Sequence, residues 1–143
     1  MKKTDIAYIA GIMDGEGCIH IKRHTKEPAT QYTLQITVGS TQEWLCRYLQ
    51  FLFGGSVQQN LSIAKRDDCH RKPFWVWRVS ATLAYNFLKI IYPYLHLKRE
   101  QARIALEFQE ARKQHRNLGQ RPNTEEEIAL QEVQRILVKG LKK

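Results

Sequence analysis

Residues 5–18, DIAYIAGIMDGEGC, constrain the fold of this chain more than any other stretch. They read as a short helix that runs straight into an acidic turn. Ala7, Ala10, Gly11 and Asp14 recur at helical spacing and so share one face, which carries almost no side-chain bulk. Ile6, Ile9 and Met13 lie opposite, with Tyr8 and Ile12 between. Such a helix can pack on two sides at once. Its apolar side suits the chain's own core, and its bare side suits another helix at short backbone distance. Asp14-Gly15-Glu16-Gly17 follows, where glycines let the helix stop sharply. Two carboxylates are then left at the negative end of the helix macrodipole, a placement that costs stability. That cost points to a divalent cation that neutralises it; otherwise the pair are solvated turn residues.

The chain has 143 residues, enough for one domain with a real core, and 43% of them are hydrophobic, which argues against disorder. Its 23 Lys and Arg against 14 Asp and Glu give a net charge of +9, which favours a polyanionic partner such as nucleic acid. Cys18, Cys46 and Cys69 are odd in number and widely spaced, which fits reduced thiols in an intracellular protein better than a disulfide framework or a zinc site. The N-terminal apolar run is interrupted by Asp14 and Glu16, too early for a membrane span or signal segment, so no membrane association is expected.

After the acidic turn, residues 18–24 alternate: Ile19 and Ile21 point one way, and His20, Lys22 and His24 the other. A second strand over residues 31–38 turns Tyr32, Leu34, Ile36 and Val38 inward and Gln31, Thr33, Gln35 and Thr37 outward. The hairpin has one apolar face and one face of side chains that address base edges or phosphates, and a two-stranded ribbon fits the major groove. A plain solvated sheet face would also be polar, but it would carry more acid than the single Glu27 found between His20 and Thr37.

Residues 40–53 read as a helix, capped by Ser40 or Thr41 and ended by Gly54-Gly55. A third strand over residues 56–64 directs Gln58, Asn60 and Ser62 outward, and a charged loop follows at 65–72. A fourth strand over 74–80 puts Trp75, Trp77 and Val79 inward and Arg78 outward. A helix over 82–91 is broken by Pro93, and a long helix over 98–115 places Ile104, Ala105, Phe108 and Ala111 on one face. Residues 116–123 read as a linker. Thr124 and Glu127 form a capping box for a last helix with an apolar stripe of Ala129, Val133, Ile136, Leu137 and Gly140. Two αββ units in succession give an α+β domain with a four-stranded antiparallel sheet and helices on one face.

The ten positions 8–17, YIAGIMDGEG, resemble the signature of the LAGLIDADG homing endonucleases, in the form with one motif per chain. Residues 92–102, YPYLHLKREQA, resemble a second family segment whose active-site lysine matches Lys98. The resemblance implies an αββαββα core over residues 5–110 with a saddle-like sheet. The C-terminal helices at 111–143 then complete a single domain over 1–143. It implies a homodimer through Ala7, Ala10, Gly11 and Asp14. It further implies that Glu16, with the main-chain carbonyl of Gly15, holds catalytic Mg²⁺ or another divalent cation such as Mn²⁺, and that Lys98 assists. The substrate implied is double-stranded DNA with a long, nearly palindromic site, cut in a metal-dependent reaction. Two readings stay open on the same scaffold: an intron RNA maturase, and a DNA-binding protein that does not cut. One departure bears on activity: the polar residue common in the family at the end of the second strand would fall between Val38 and Ser40, and Ser40 replaces it only in part.

Overall fold

The computed structural model describes residues 1–26, 29–60, 72–117 and 122–142. The chain runs α1 (Lys3–Glu16), β1 (Gly17–Lys26), β2 (Ala29–Ser40), α2 (Glu43–Phe53), β3 (Ser56–Asn60), β4 (Phe74–Ser80) and α3 (Ala81–Ile91). A 3-10 turn at Tyr92–Tyr94, α4 (Arg99–Asn117) and α5 (Glu125–Gly140) follow. This is the expected αββαββα order, and the four strands form one antiparallel sheet in the order β1-β2-β4-β3.

Register divides the sheet into an apolar and a polar face. Ile19 pairs with Ile36 and Ile36 with Val79; Val38 pairs with Trp77 and Trp77 with Val57. These rows face the helices, and Ile19, Ile36, Val38, Trp77 and Val79 are buried. Each fully buried side chain of this size contributes about 1.5–3 kcal/mol, offset largely by chain entropy. Trp77 also stacks edge-on with Phe87 of α3 at 5.1 Å between centroids, and its indole N–H donates to the Gly54 carbonyl at 2.9 Å. The inward tryptophan therefore loses no hydrogen bond on burial.

Gly54 and Gly55 end α2 as expected, with φ of 75° and 89°. Gly55 is additionally pinned by space: a Cβ there would lie 2.3 Å from the Arg78 carbonyl oxygen. Gly17 departs from expectation. It is extended, with φ −84°, so no left-handed turn ends α1. Glycine is required because a Cβ would meet the Met13 carbonyl at 2.6 Å and its sulfur at 2.2 Å. Asp14, Gly15 and Glu16 thus form the last turn of the helix itself, and the strand begins at the next residue.

Other boundaries shift. The N-cap of α2 is Gln42, and Ser40 contributes through its hydroxyl, which accepts from the Gln42 N–H at 3.0 Å. In α4, Ile104, Ala105 and Phe108 are buried, but Ala111 is exposed, and Gln101, Ala102 and Gln109 are buried instead. The largest correction is α5. Its capping box forms as expected, with Thr124 N–H to Glu127 at 3.0 Å and Glu127 N–H to Thr124 at 3.2 Å. Its predicted stripe does not pack inward: Ala129, Val133, Ile136, Leu137 and Gly140 are exposed. Val138 and Gln134 are buried, and Glu132 accepts from the Tyr32 hydroxyl at 2.7 Å while pairing with Arg135 at 2.6 Å. These polar bonds tie that side of α5 to Tyr32 of β2, while the hydrophobic stripe is left exposed.

Candidate nucleic-acid interface and active site

The polar face of the sheet carries the residues expected to read DNA, in cross-strand rows. His20 pairs with Gln35 and Gln35 with Ser80; Lys22 pairs with Thr33; His24 pairs with Gln31. Cys18, Thr37, Arg78 and Ser56 form another row, and Val76 pairs with Gln58 and Phe74 with Asn60. None of these outward positions among the described residues is Asp or Glu. Lys22, His24, Gln31 and Gln58 are exposed, and Thr33, Thr37, Asn60 and Arg78 are partly so. Gln35 is buried. Ser62, also expected on this face, lies outside the described residues, as do the charged loop at 65–71 and Cys69 and His70 within it.

Charge on this face is concentrated. The Nε of Arg78 is enclosed without a hydrogen-bond partner among the described residues. Burial, and then the positive charges of Lys142, Lys22 and Arg78, lower the pKa of His20. Its imidazole therefore favours the neutral form, and the Lys142 ammonium lies 2.9 Å from its Nδ1. Lys142, just past α5, thereby joins this face through His20. No local pattern shows that the C-terminal end of α5 returns to β1.

The active-site candidates gather at the C-terminal end of α1. Glu16 ends that helix, is exposed, and has no hydrogen bond or ion pair among the described residues. Gly15 beside it is also exposed. Lys98, immediately before α4, donates from its ammonium to the Asp14 main-chain carbonyl. Lys98 is thus brought to the helix end that Glu16 terminates, across 81 intervening residues. Ser40 sits on the same face as Trp75 in the register, and its hydroxyl accepts from the Gln42 N–H.

Two of the four residues expected on the free face of α1 are placed otherwise. Ala10 is fully buried in the chain's own core, so its methyl is already packed. Asp14 is partly buried and turned inward: its carboxylate accepts from the main-chain N–H of His96 at 2.8 Å and of Lys98 at 3.0 Å. The exposed strip runs instead through Thr4, Ala7, Tyr8, Gly11 and Gly15. Gly11 stands at its middle, and a Cβ added there would meet nothing within 4 Å. A helix surface of Ala and Gly at this spacing still permits close approach of a second helix.

No group of three or more His, Cys, Asp or Glu is arranged to hold a metal among the described residues. With Asp14 engaged by two N–H donors, Glu16 and the adjacent carbonyls are what one chain offers a cation at this end of α1 among the described residues. No helix among the described residues is long and apolar enough to cross a membrane. Cys18 and Cys46 are free thiols.

The sequence matches no protein-family model and no curated protein. Solved structures show the fold. The homing endonuclease I-CvuI, bound to DNA uncleaved in the presence of Mg, superposes with a TM-score of 0.75 at 23% identity, covering 99% of this chain and 83% of that one. The archaeal intron-encoded homing endonuclease I-Vdi141I, complexed with DNA, gives 0.77 at 10% identity over 100% and 87%. The LAGLIDADG homing endonuclease I-SmaMI, bound to cleaved DNA, gives 0.65 at 14% identity over 96% and 42%. This chain has the LAGLIDADG homing endonuclease fold. It is similar in extent to I-CvuI and I-Vdi141I, and it spans about two fifths of I-SmaMI.

Proposed function

We propose that this protein is a site-specific, divalent-metal-dependent double-strand DNA endonuclease that acts as a homodimer. The observation that carries the reading is the junction of α1 and β1. Glu16 is the last residue of the helix, Gly17 the first of the strand, and the polar sheet face starts there. A carboxylate without a partner thereby stands at the edge of a surface of Lys, His, Gln, Thr and Arg that bears no acid among its described outward positions. Backbone phosphates supply the countercharge for that surface, and the exposed Gln31 and Gln58 offer paired donors and acceptors to base edges.

One carboxylate per chain is a poor cation site, so the dimer supplies the second. Pairing across Ala7 and Gly11 brings two copies of the α1 C-terminus together, and each contributes Glu16 and the carbonyl of Gly15 as oxygen ligands suited to Mg²⁺ or Mn²⁺. A divalent cation held there would supply a water of lowered pKa and stabilisation of the leaving oxygen. Lys98 offsets charge that develops on the phosphate. That the longer I-SmaMI matches this chain over 42% of its length, leaving room for a second such unit, supports the dimeric reading. The twofold axis makes the target nearly palindromic, one half per subunit.

Cleavage selection from a randomised duplex library in Mg²⁺ tests activity, site and symmetry together. Recovered sites with dyad symmetry and cutting on both strands are expected. Tight binding with no cutting in Mg²⁺ or Mn²⁺ leaves a DNA-binding protein, and selective retention of RNA over duplex DNA points to a maturase.

A further inference from the structure

We propose that Asp14 is a positioning residue that sets Lys98 beside the Glu16 end of α1, and that it binds no metal. The inference rests on the endonuclease reading of that site. Asp14 is placed badly by its own helix, since a carboxylate in the last turn meets the negative end of the macrodipole. It is placed well by another. Its two oxygens accept from the N–H groups of His96 and Lys98, at 2.8 and 3.0 Å. These donors directly precede α4, whose first helical hydrogen bond runs from Ala102 N–H to the Lys98 carbonyl at 2.9 Å. The carboxylate therefore meets the positive end of α4 and satisfies donors that the helix cannot.

The exchange is reciprocal. The Lys98 ammonium donates to the Asp14 carbonyl at the negative end of α1. The C-terminus of α1 and the N-terminus of α4 are thus joined by one acid and one base, each at the helix end that favours its charge. Two contacts between Asp14 and Lys98, 84 positions apart, and a third from Asp14 to the His96 N–H fix the height and direction of the Lys98 side chain. With both carboxylate oxygens engaged, Asp14 holds Lys98 in place while Glu16, two residues on, is left free.

The test compares Asp14→Asn, Lys98→Ala and the double variant on the palindromic site recovered by library selection. Affinity is measured in Ca²⁺, single-turnover cutting in Mg²⁺, and amide hydrogen exchange at His96 and Lys98 without DNA. Asparagine can accept through one oxygen only, so one N–H loses its partner and its exchange accelerates. Affinity stays within about threefold, while cutting slows by about tenfold to a hundredfold, the range set by small displacements of a catalytic group. The double variant cuts no slower than Lys98→Ala, because Asp14 acts through the lysine. A merely structural residue would instead lower affinity and melting temperature together and multiply with Lys98→Ala, and either result overturns the proposal. Faster exchange with parental cutting overturns it too, yet leaves the endonuclease reading standing. A parent chain that cuts no library member overturns that reading and this one with it. Should Asp14→Asn fail to fold, His96→Pro decides by the same criteria. It deletes one donor, and the extended ψ of 140° at Leu95 accepts a following proline.

Discussion

Replacing Gly11 with leucine moves two equilibria in opposite directions. Within one chain the substitution is free of clash, because a Cβ at Gly11 meets nothing within 4 Å and the site is an exposed helix interior. Leucine is the better helix former there, by about 0.8 kcal/mol. In a chain of 143 residues that raises the melting temperature of the isolated subunit by roughly 2–3 °C. Across a twofold axis the same side chain appears twice at a contact built from Gly and Ala. Overpacking costs about 1–3 kcal/mol per insertion, so the pair costs about 2–6 kcal/mol, or roughly 30-fold to 10⁴-fold in dimer dissociation. Sedimentation equilibrium over a dilution series reads the second quantity, and thermal unfolding of the diluted monomer reads the first. Gly140→Ala is the control: it is exposed, also has nothing within 4 Å, and should leave assembly unchanged. A Gly11→Leu protein that remains a parental dimer with full cutting would refute pairing through this face, as would a parent that stays monomeric on its DNA.

Glu16→Gln should bind its target in Ca²⁺ at least as well as the parent, since a charge near phosphate is removed, and should cut neither strand in Mg²⁺. Gln31, exposed where Gln35 is buried, is the base reader to test: Gln31→Ala should relax preference at one symmetric pair of base positions by about 1–3 kcal/mol, read by competition binding. Lys22→Ala should weaken all duplexes alike and reduce the salt slope by about 1. Glu132 is held down to about 2 from 4.5, first by Arg135 and then by the Tyr32 hydroxyl. Its folded pKa is depressed, so the stability it lends is present above about 4.5 and lost as pH falls towards about 2. Glu132→Gln should therefore cost about 1–2 kcal/mol at neutral pH and flatten the stability profile in that acid window, measured by denaturant unfolding.

The fold was legible where a period of two or 3.6 coincided with one buried face. Tyr32, Leu34, Ile36 and Val38 alternate with polar residues, and all four are buried. Trp77 and Val79 follow the same rule. The helix α5 was legible in its start, through Thr124 and Glu127, but not in its rotation. Its stripe of Val133, Ile136 and Leu137 is the more hydrophobic side, yet Tyr32 sits 100 residues away with a hydroxyl that needs an acceptor. Glu132 supplies it from the other side of the helix. A hydrophobic period reports how a helix could pack. It does not contain the distant partners that each face meets.

The same physics divided the two acids of the motif. From sequence, Asp14 and Glu16 pose one problem, negative charge at a negative helix end, with a cation as the common answer. The structure gives each its own answer. Asp14 points inward at helical spacing from Ala10, and Ala10 is fully buried, so that direction leads to the chain's own α4. Two main-chain donors and the α4 terminus offset its charge. Glu16 is a further two positions round the helix, about 200° away, and reaches solvent at the edge of the polar sheet face. Of the two, Glu16 alone is left without a partner among the described residues, so in the proposed endonuclease one residue per chain rather than two would face a cation. In the proposed dimer a second copy would approach across the small, open surface at Ala7 and Gly11 and bring a second Glu16 carboxylate to the same cation, with waters and phosphate oxygens completing the shell.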